Sequence, residues 1–194
     1  YIWSAGCATG EEAYSLAILL LEEASRMEIP PKVQVFASDL HDRSLARARE
    51  GFYPGAIETD VSPERLKRFF HKDDGGYRIR EQIREVVVFA AHDLLSDPPF
   101  SNLDMVVCRN LLIYLQREAQ GEVVGVFHYA LNPEGFLVIG TSEVIDPSEY
   151  FEVMDKKESV YRRRNVPGPD LLLPTFRAPG PALSVNLERR RSRE

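Results

Sequence analysis

Apolar and polar positions follow two different periods along this chain, and the switches between them mark its elements. Residues 1–4 read as the end of a strand. Across 11–25, apolar side chains recur at Tyr14, Leu16, Ala17, Leu20 and Leu21, close to the helical period that turns one face inward. Pro30 and Pro31 break the chain, and 33–37 is a short β-rich run. A charged helix over 43–50 stops at Gly51. Residues 86–91 and 104–108 are two further apolar runs, the second followed by a helical pattern from Asn110. Residues 117–131 are helical, Asn132-Pro133-Glu134-Gly135 is a turn, and 136–140 is another strand. Segments 151–154 and 159–163 flank the polar turn Asp155-Lys156-Lys157-Glu158 and predict a closing hairpin. Strands alternating with helices predict an α/β fold, a mainly parallel sheet covered by helices on both faces.

Residues 51–85 break that rhythm. Phe52, Tyr53, Phe69, Phe70 and Tyr77 sit among charges, and Asp73-Asp74-Gly75-Gly76 is a turn between potential strands. Ser62 followed by Pro63 predicts a short helix, with Ser capping and Pro at the first helical position. An insertion of this length forms a small lobe; packing decoration and a docking surface both fit it.

Composition narrows the picture. No apolar run exceeds six residues, so no segment can span a bilayer as a helix. The opening residues lack a basic n-region, and the expectation is a chain without a secretory signal. Cys7 and Cys108 cannot build a disulfide framework and read as small core hydrophobes in a reducing cytoplasm. The histidines are scattered without metal-ligand spacing, so no metal is expected. The net charge of −6 conceals a split: residues 165–194 hold five Arg against three acids, and five of the thirteen prolines. That tail reads as a disordered linker beyond a domain of residues 1–164, with a basic nucleic-acid-binding tail as the sharper alternative. The acidic body argues against nucleic acid as a partner.

In a doubly wound sheet, ligands lie at the carboxyl ends of the strands near the switch point. The first such end reads Trp3-Ser4-Ala5-Gly6-Cys7-Ala8-Thr9-Gly10-Glu11-Glu12. Small residues let a ligand approach the backbone, but the nucleotide P-loop fails here. Three residues separate Gly6 from Gly10 instead of four, and Glu11 stands where Lys belongs. Glu11 and Glu12 suit a positively charged ligand such as a sulfonium or an ammonium. Both could instead be first-turn acids favoured by the helix dipole, a description that fits Glu11 well. The second strand ends in Ser38-Asp39-Leu40, where a carboxylate can accept from a ribose diol or cap the next helix. The third ends in Ala91-His92-Asp93-Leu94-Leu95 and the fourth in Cys108-Arg109-Asn110-Leu111-Leu112-Ile113-Tyr114. An Arg-Asn pair at the buried edge directly after a strand is hard to explain as packing.

Together, the segments from Trp3 to Ser15, Phe36 to Asp39, Cys108 to Tyr114 and Gly140 to Glu143 resemble the chemotaxis receptor methyltransferases of the CheR family. The resemblance runs from residue 1 to about 163 in the correct order. It implies a Rossmann-like class I methyltransferase fold with a small inserted antiparallel β-subdomain. It also implies methyl transfer from S-adenosylmethionine to receptor glutamates, giving glutamyl methyl esters and S-adenosylhomocysteine. By resemblance, Gly6 belongs to the cofactor loop, Glu12 lies at the methionine end and Asp39 holds the ribose. Asp93, where some relatives carry Asn, and Leu94 flank the adenine. Arg109 and Asn110 complete the pocket, and Tyr114 faces the transferred methyl, which makes Arg109 and Tyr114 the catalytic candidates. A glutamate substrate is already ionised at neutral pH, so no general base is needed.

Relatives carry a helical domain ahead of this region, whereas this chain starts at the first strand and reads as a fragment of a longer, multidomain protein. Methyl-accepting chemoreceptors are the implied partners. The short stretch 71–76, with its two aspartates, places the chain with members that do not use a receptor tail peptide. Two rival readings are a degenerate, non-catalytic docking module and a methyltransferase for nucleic acids or small molecules. Retention of Glu12, Asp39, Arg109, Asn110 and Tyr114 speaks against the first, and the acidic body and the insertion against the second.

Overall fold

The computed structural model of the chain describes residues 1–145 and 149–168. In chain order, β1 (Ile2–Ala5), α1 (Glu11–Ala24), β2 (Val35–Asp39) and α2 (Asp42–Glu50) come first. The insertion follows as β3 (Phe52–Pro54), α3 (Pro63–Phe69), β4 (Phe70–Asp73), β5 (Gly76–Ile79) and α4 (Glu81–Arg84). The chain then returns through β6 (Val87–Ala91), β7 (Leu103–Cys108), α5 (Arg117–Ala130), β8 (Leu131–Ile139), β9 (Phe151–Asp155) and β10 (Val160–Arg163).

Seven strands form one sheet in the order β6-β2-β1-β7-β8-β10-β9. The pairs β6-β2, β2-β1, β1-β7 and β7-β8 are parallel, and β10 runs antiparallel to both β8 and β9. The order reverses between β1 and β7, which is the switch point where such sheets open a crevice. The period-2 alternation sends successive side chains to opposite faces. Val35 and Ala37 join a cluster with α1, while Phe36 packs with Trp3, Val106 and Phe127 against α5. Both faces are therefore covered, as the apolar strands require. Trp3 is fully buried, edge-on to His92, Phe100 and Phe127, and its indole N–H donates to Ser38 Oγ at 2.8 Å.

The insertion is a second, three-stranded antiparallel sheet in the order β3-β5-β4. Ser62 caps α3, accepting from the Arg65 N–H, with Pro63 as its first residue. Its apolar residues Tyr53, Leu66, Phe69, Phe70, Ile79 and Ile83 belong to the same cluster as Tyr14, Ala17 and Ile18 of α1. Arg65 adds a two-pronged contact to Glu22 on α1, at 3.0 and 2.7 Å.

Two expectations differ from the structure. No helix starts at Asn110: that residue is left-handed (φ 60), Leu112–Tyr114 is a single 3-10 turn, and α5 begins at Arg117. The turn at Asn132-Pro133-Glu134-Gly135 lies inside β8 as an irregularity. Leu131 pairs with Leu103 and Phe136 with Met105, so the extra residues bulge out, with Glu134 at φ 64. The tail expectation falls, from residue 169 onward, outside the described residues. Among the described residues no helix is long and apolar enough to cross a membrane.

Candidate active site

The turn after β1 is held open by its own backbone. Gly6 (φ 75), Ala8 (φ 46) and Gly10 (φ 91) are all left-handed, a region that costs a residue with a Cβ. At Gly10 a side chain would also collide with Ala48 Cβ at 2.9 Å and the Phe89 ring at 3.2 Å. The N–H groups of Gly6 and Cys7 both donate to Ser38 O, at 2.8 and 2.9 Å, tying this turn to the end of β2.

Glu11 and Glu12 then separate. Glu11 is exposed and accepts from Thr9 Oγ1, as a first-turn acid does. Glu12 turns inward, where Ser4 Oγ donates to it at 2.7 Å. Burial pushes the Glu12 carboxyl above its ordinary range, against the pull of the Ser4 hydrogen bond and the Arg109 charge. Cys7 is buried beside them, and burial together with the nearby Asp39 and Glu12 charges raises its thiol to about 12. It is an inert core residue, as is buried Cys108.

Asp39 joins both readings of its sequence position. Its Oδ1 accepts from the His41 N–H at 2.9 Å, shaping the entry to α2, and its Oδ2 accepts from the Ala8 N–H at 2.8 Å. A carboxylate has about four acceptor positions, so two remain for a diol. The end of β6 lies alongside, the His92 N–H donating to Asp39 O at 3.1 Å. Asp93 is engaged in its own turn, accepting from the Leu95 N–H and from Ser96 Oγ, while Leu94 packs partly buried against the Trp3 cluster.

Arg109 follows β7, and its positive charge offsets part of the upward shift that burial imposes on Glu12. Leu111 packs on the turn of β1: a Cβ at Gly6 would touch its side chain at 3.4 Å. The expectation of a buried-edge Arg-Asn pair holds for the backbone and not for the side chains. Arg109 and Asn110 are both exposed, while the Asn110 N–H is bonded inward. Tyr114 is 79% exposed, and among the described residues no hydrogen bond ties its hydroxyl to the turn of β1. The sequence placed Glu143 in a matching segment but gave it no role. That residue is 3% exposed and accepts backbone N–H bonds from Asn110, Leu111, Leu112 and Gly140 at 2.7–3.0 Å. The available signal was an acid three residues past the glycine that follows a strand.

A carboxylate in the first turn of α1, another at the end of β2, and a turn of small residues without Lys between β1 and α1 fit an α/β domain for a nucleoside-bearing, positively charged cofactor. The family model described as "CheR methyltransferase, SAM binding domain" matches residues 1–160. The chain belongs to the CheR methyltransferase family, and its cofactor is S-adenosylmethionine. It is 41% identical over 162 residues to an uncharacterized 104.1 kDa protein of Rhodobacter capsulatus, covering 83% of this chain and 17% of that protein. It is 36% identical over 170 residues to chemotaxis protein methyltransferase 1 of Pseudomonas aeruginosa, and 35% over 173 residues to the putative methyltransferase Cher3 of Pseudomonas putida. Each of those two matches covers 84% of this chain and 62% of the relative. The chain thus spans less than two thirds of the relatives it matches.

Proposed function

We propose that the protein transfers a methyl group from S-adenosylmethionine to glutamate side chains of chemoreceptors, giving methyl esters. The observation that carries this reading is the inward Glu12, held by Ser4 of β1, together with Asp39, whose Oδ2 is held by the Ala8 N–H of the glycine-containing turn that follows β1. The names of relatives such as chemotaxis protein methyltransferase 1 supply the chemotactic setting.

When bound, the cofactor supplies a methyl group on a positively charged sulfur. Glu12 holds the amino-acid end, its negative charge made more effective by burial. Asp39 accepts from the ribose hydroxyls, while Leu94 and the turn of Asp93 wall the base. Arg109 and Asn110 close the pocket from the β7 side. Tyr114, on an exposed rim, meets the incoming glutamate. That carboxylate is ionised at neutral pH, so the residues orient it and exclude water instead of moving a proton.

For partners we infer chemoreceptors met without a tail peptide, in the cytoplasm, with this domain as one part of a larger protein. The 17% share of the 104.1 kDa relative supports the last point. The short turn between β4 and β5 supports the first. Asp73 adds less repulsion than its sequence position suggests, because Arg78 pairs with it at 2.8 Å. A cleft of about 650 Å³ beside β4 is lined by Lys67, His71, Lys72 and Arg80 together with Glu58 and apolar residues, so a titration with a receptor-tail peptide decides the matter. Saturable micromolar binding overturns tail independence.

The main test is calorimetric titration of the chain with S-adenosylhomocysteine, followed by labelled methyl transfer to receptor by the full-length protein. Saturable binding and base-labile label on receptor glutamates are expected. A folded chain that binds no S-adenosylhomocysteine overturns the cofactor pocket, and label found elsewhere overturns the substrate.

A further inference from the structure

Glu143 has no place in the chemistry just described, yet it is the most completely bonded carboxylate at this end of the sheet. Its Oε1 accepts from the N–H groups of Leu111 at 2.8 Å and Leu112 at 2.7 Å; its Oε2 accepts from Asn110 at 3.0 Å and Gly140 at 2.7 Å. Three of the four donors are consecutive. They converge because Asn110 is left-handed (φ 60) and Leu111 right-handed (φ −113, ψ −46), the alternation that turns successive N–H groups into an anion-binding concavity. The chain fills that concavity with its own carboxylate, carried in from the loop after β8. Such charge-assisted bonds are among the strong ones, and at 3% exposure Glu143 is shielded from bulk solvent.

Gly140 completes the device. A Cβ there would stand 2.6 Å from Glu143 Oε2 and 3.3 Å from the Asn110 N. The carboxylate is pinned on four sides, so it cannot retreat.

We propose that Glu143 is a positioning residue for the cofactor pocket, fixing the turn that carries Arg109 and Asn110. The route is short. The clamped turn sets Leu111, Leu111 packs on Gly6, and Gly6 opens the turn that presents Glu12. Asn110 holds a left-handed backbone that a non-glycine residue adopts at a cost, and the clamp supplies the compensation. Glu143 itself is too deeply buried to meet a substrate, so it acts through these residues. This inference rests on the function proposed above.

The test is Glu143→Gln, which keeps the shape but turns an NH₂ group toward backbone N–H donors. Two readouts are needed. Amide hydrogen exchange at Asn110, Leu111 and Leu112 is expected to quicken at least tenfold. The Kd for S-adenosylhomocysteine is expected to rise at least tenfold. Val123→Ala, a core change on α5, serves as the control: it lowers Tm and leaves that Kd unchanged. Gly140→Ala crowds the same carboxylate without touching its charge and is expected to reproduce both effects, so the test survives a poorly folding Gln variant. Unchanged exchange at 110–112 overturns the clamp. Faster exchange with unchanged Kd overturns positioning and leaves Glu143 as part of the fold. If the unaltered chain binds no S-adenosylhomocysteine, the proposed function fails, and the positioning role falls with it whatever the exchange shows.

Discussion

At the residue scale, two adjacent glutamates with the same chemistry have different surroundings. Glu11 faces solvent at the start of α1, and Glu12 faces inward to Ser4. A carboxyl raised by burial takes up its proton at a higher pH than an exposed one, and only its ionised form attracts a cation. Affinity for S-adenosylmethionine is therefore expected to fall on acidification, beginning above the ordinary glutamate range. Calorimetry across pH checks this, and Glu12→Gln is expected to weaken binding at neutral pH and flatten the acid limb. If Tm falls while affinity holds, the carboxylate is structural. Asp39→Ala is expected to weaken S-adenosylhomocysteine binding by about 1–3 kcal/mol, the scale for hydrogen bonds to a charged acceptor. Unchanged affinity in a folded variant would leave Asp39 as the residue that shapes the entry to α2. Glu12 and Asp39 were legible in the sequence because each follows a strand that its own local pattern defines. The role of Glu143 was not, because three of its four donors sit 31–33 residues upstream.

At the element scale, strands and long helices were read from periodicity alone, since burial on one or two faces dictates it. The misreadings share one cause: backbone fixed by distant partners. The turn at Asn110 takes its shape from Glu143, and the bulge in β8 from pairing with β7. Neither leaves a local period. The turn joining β1 to α1 behaves differently, because its glycines announce it. Gly10→Ala is expected to destabilise the fold by about 1–3 kcal/mol, combining a left-handed backbone with contact on Ala48 and Phe89. Denaturant titration measures it. A loss near zero would mean that α2 and β6 yield to the added methyl.

At the scale of the whole molecule, His128 fastens α5 to the chain leaving β10. It is fully buried, its Nε2 lies 3.1 Å from Arg164 O, and its Nδ1 has no partner among the described residues. A carbonyl only accepts, so Nε2 carries the proton and the neutral ring is the one that fits. Burial, helped by the Arg163 charge, depresses its pKa below the ordinary histidine value. The unfolded chain then binds the extra proton more readily, so stability is full above about pH 6.5 and falls as pH drops below it. Chemical denaturation from pH 7.5 to 5 is expected to show that slope, and His128→Gln to reduce it. An unchanged slope would assign the acid sensitivity to other groups. The insertion, finally, shares one apolar cluster with α1, the helix that carries Glu12. It is packed into the half of the domain that carries Glu12 and is not an independently packed module. Substitutions on the inward face of this lobe disturb the cluster under α1, whereas substitutions at the exposed positions of β4 need not. A designer who alters the lobe must leave the seam between it and α1 alone.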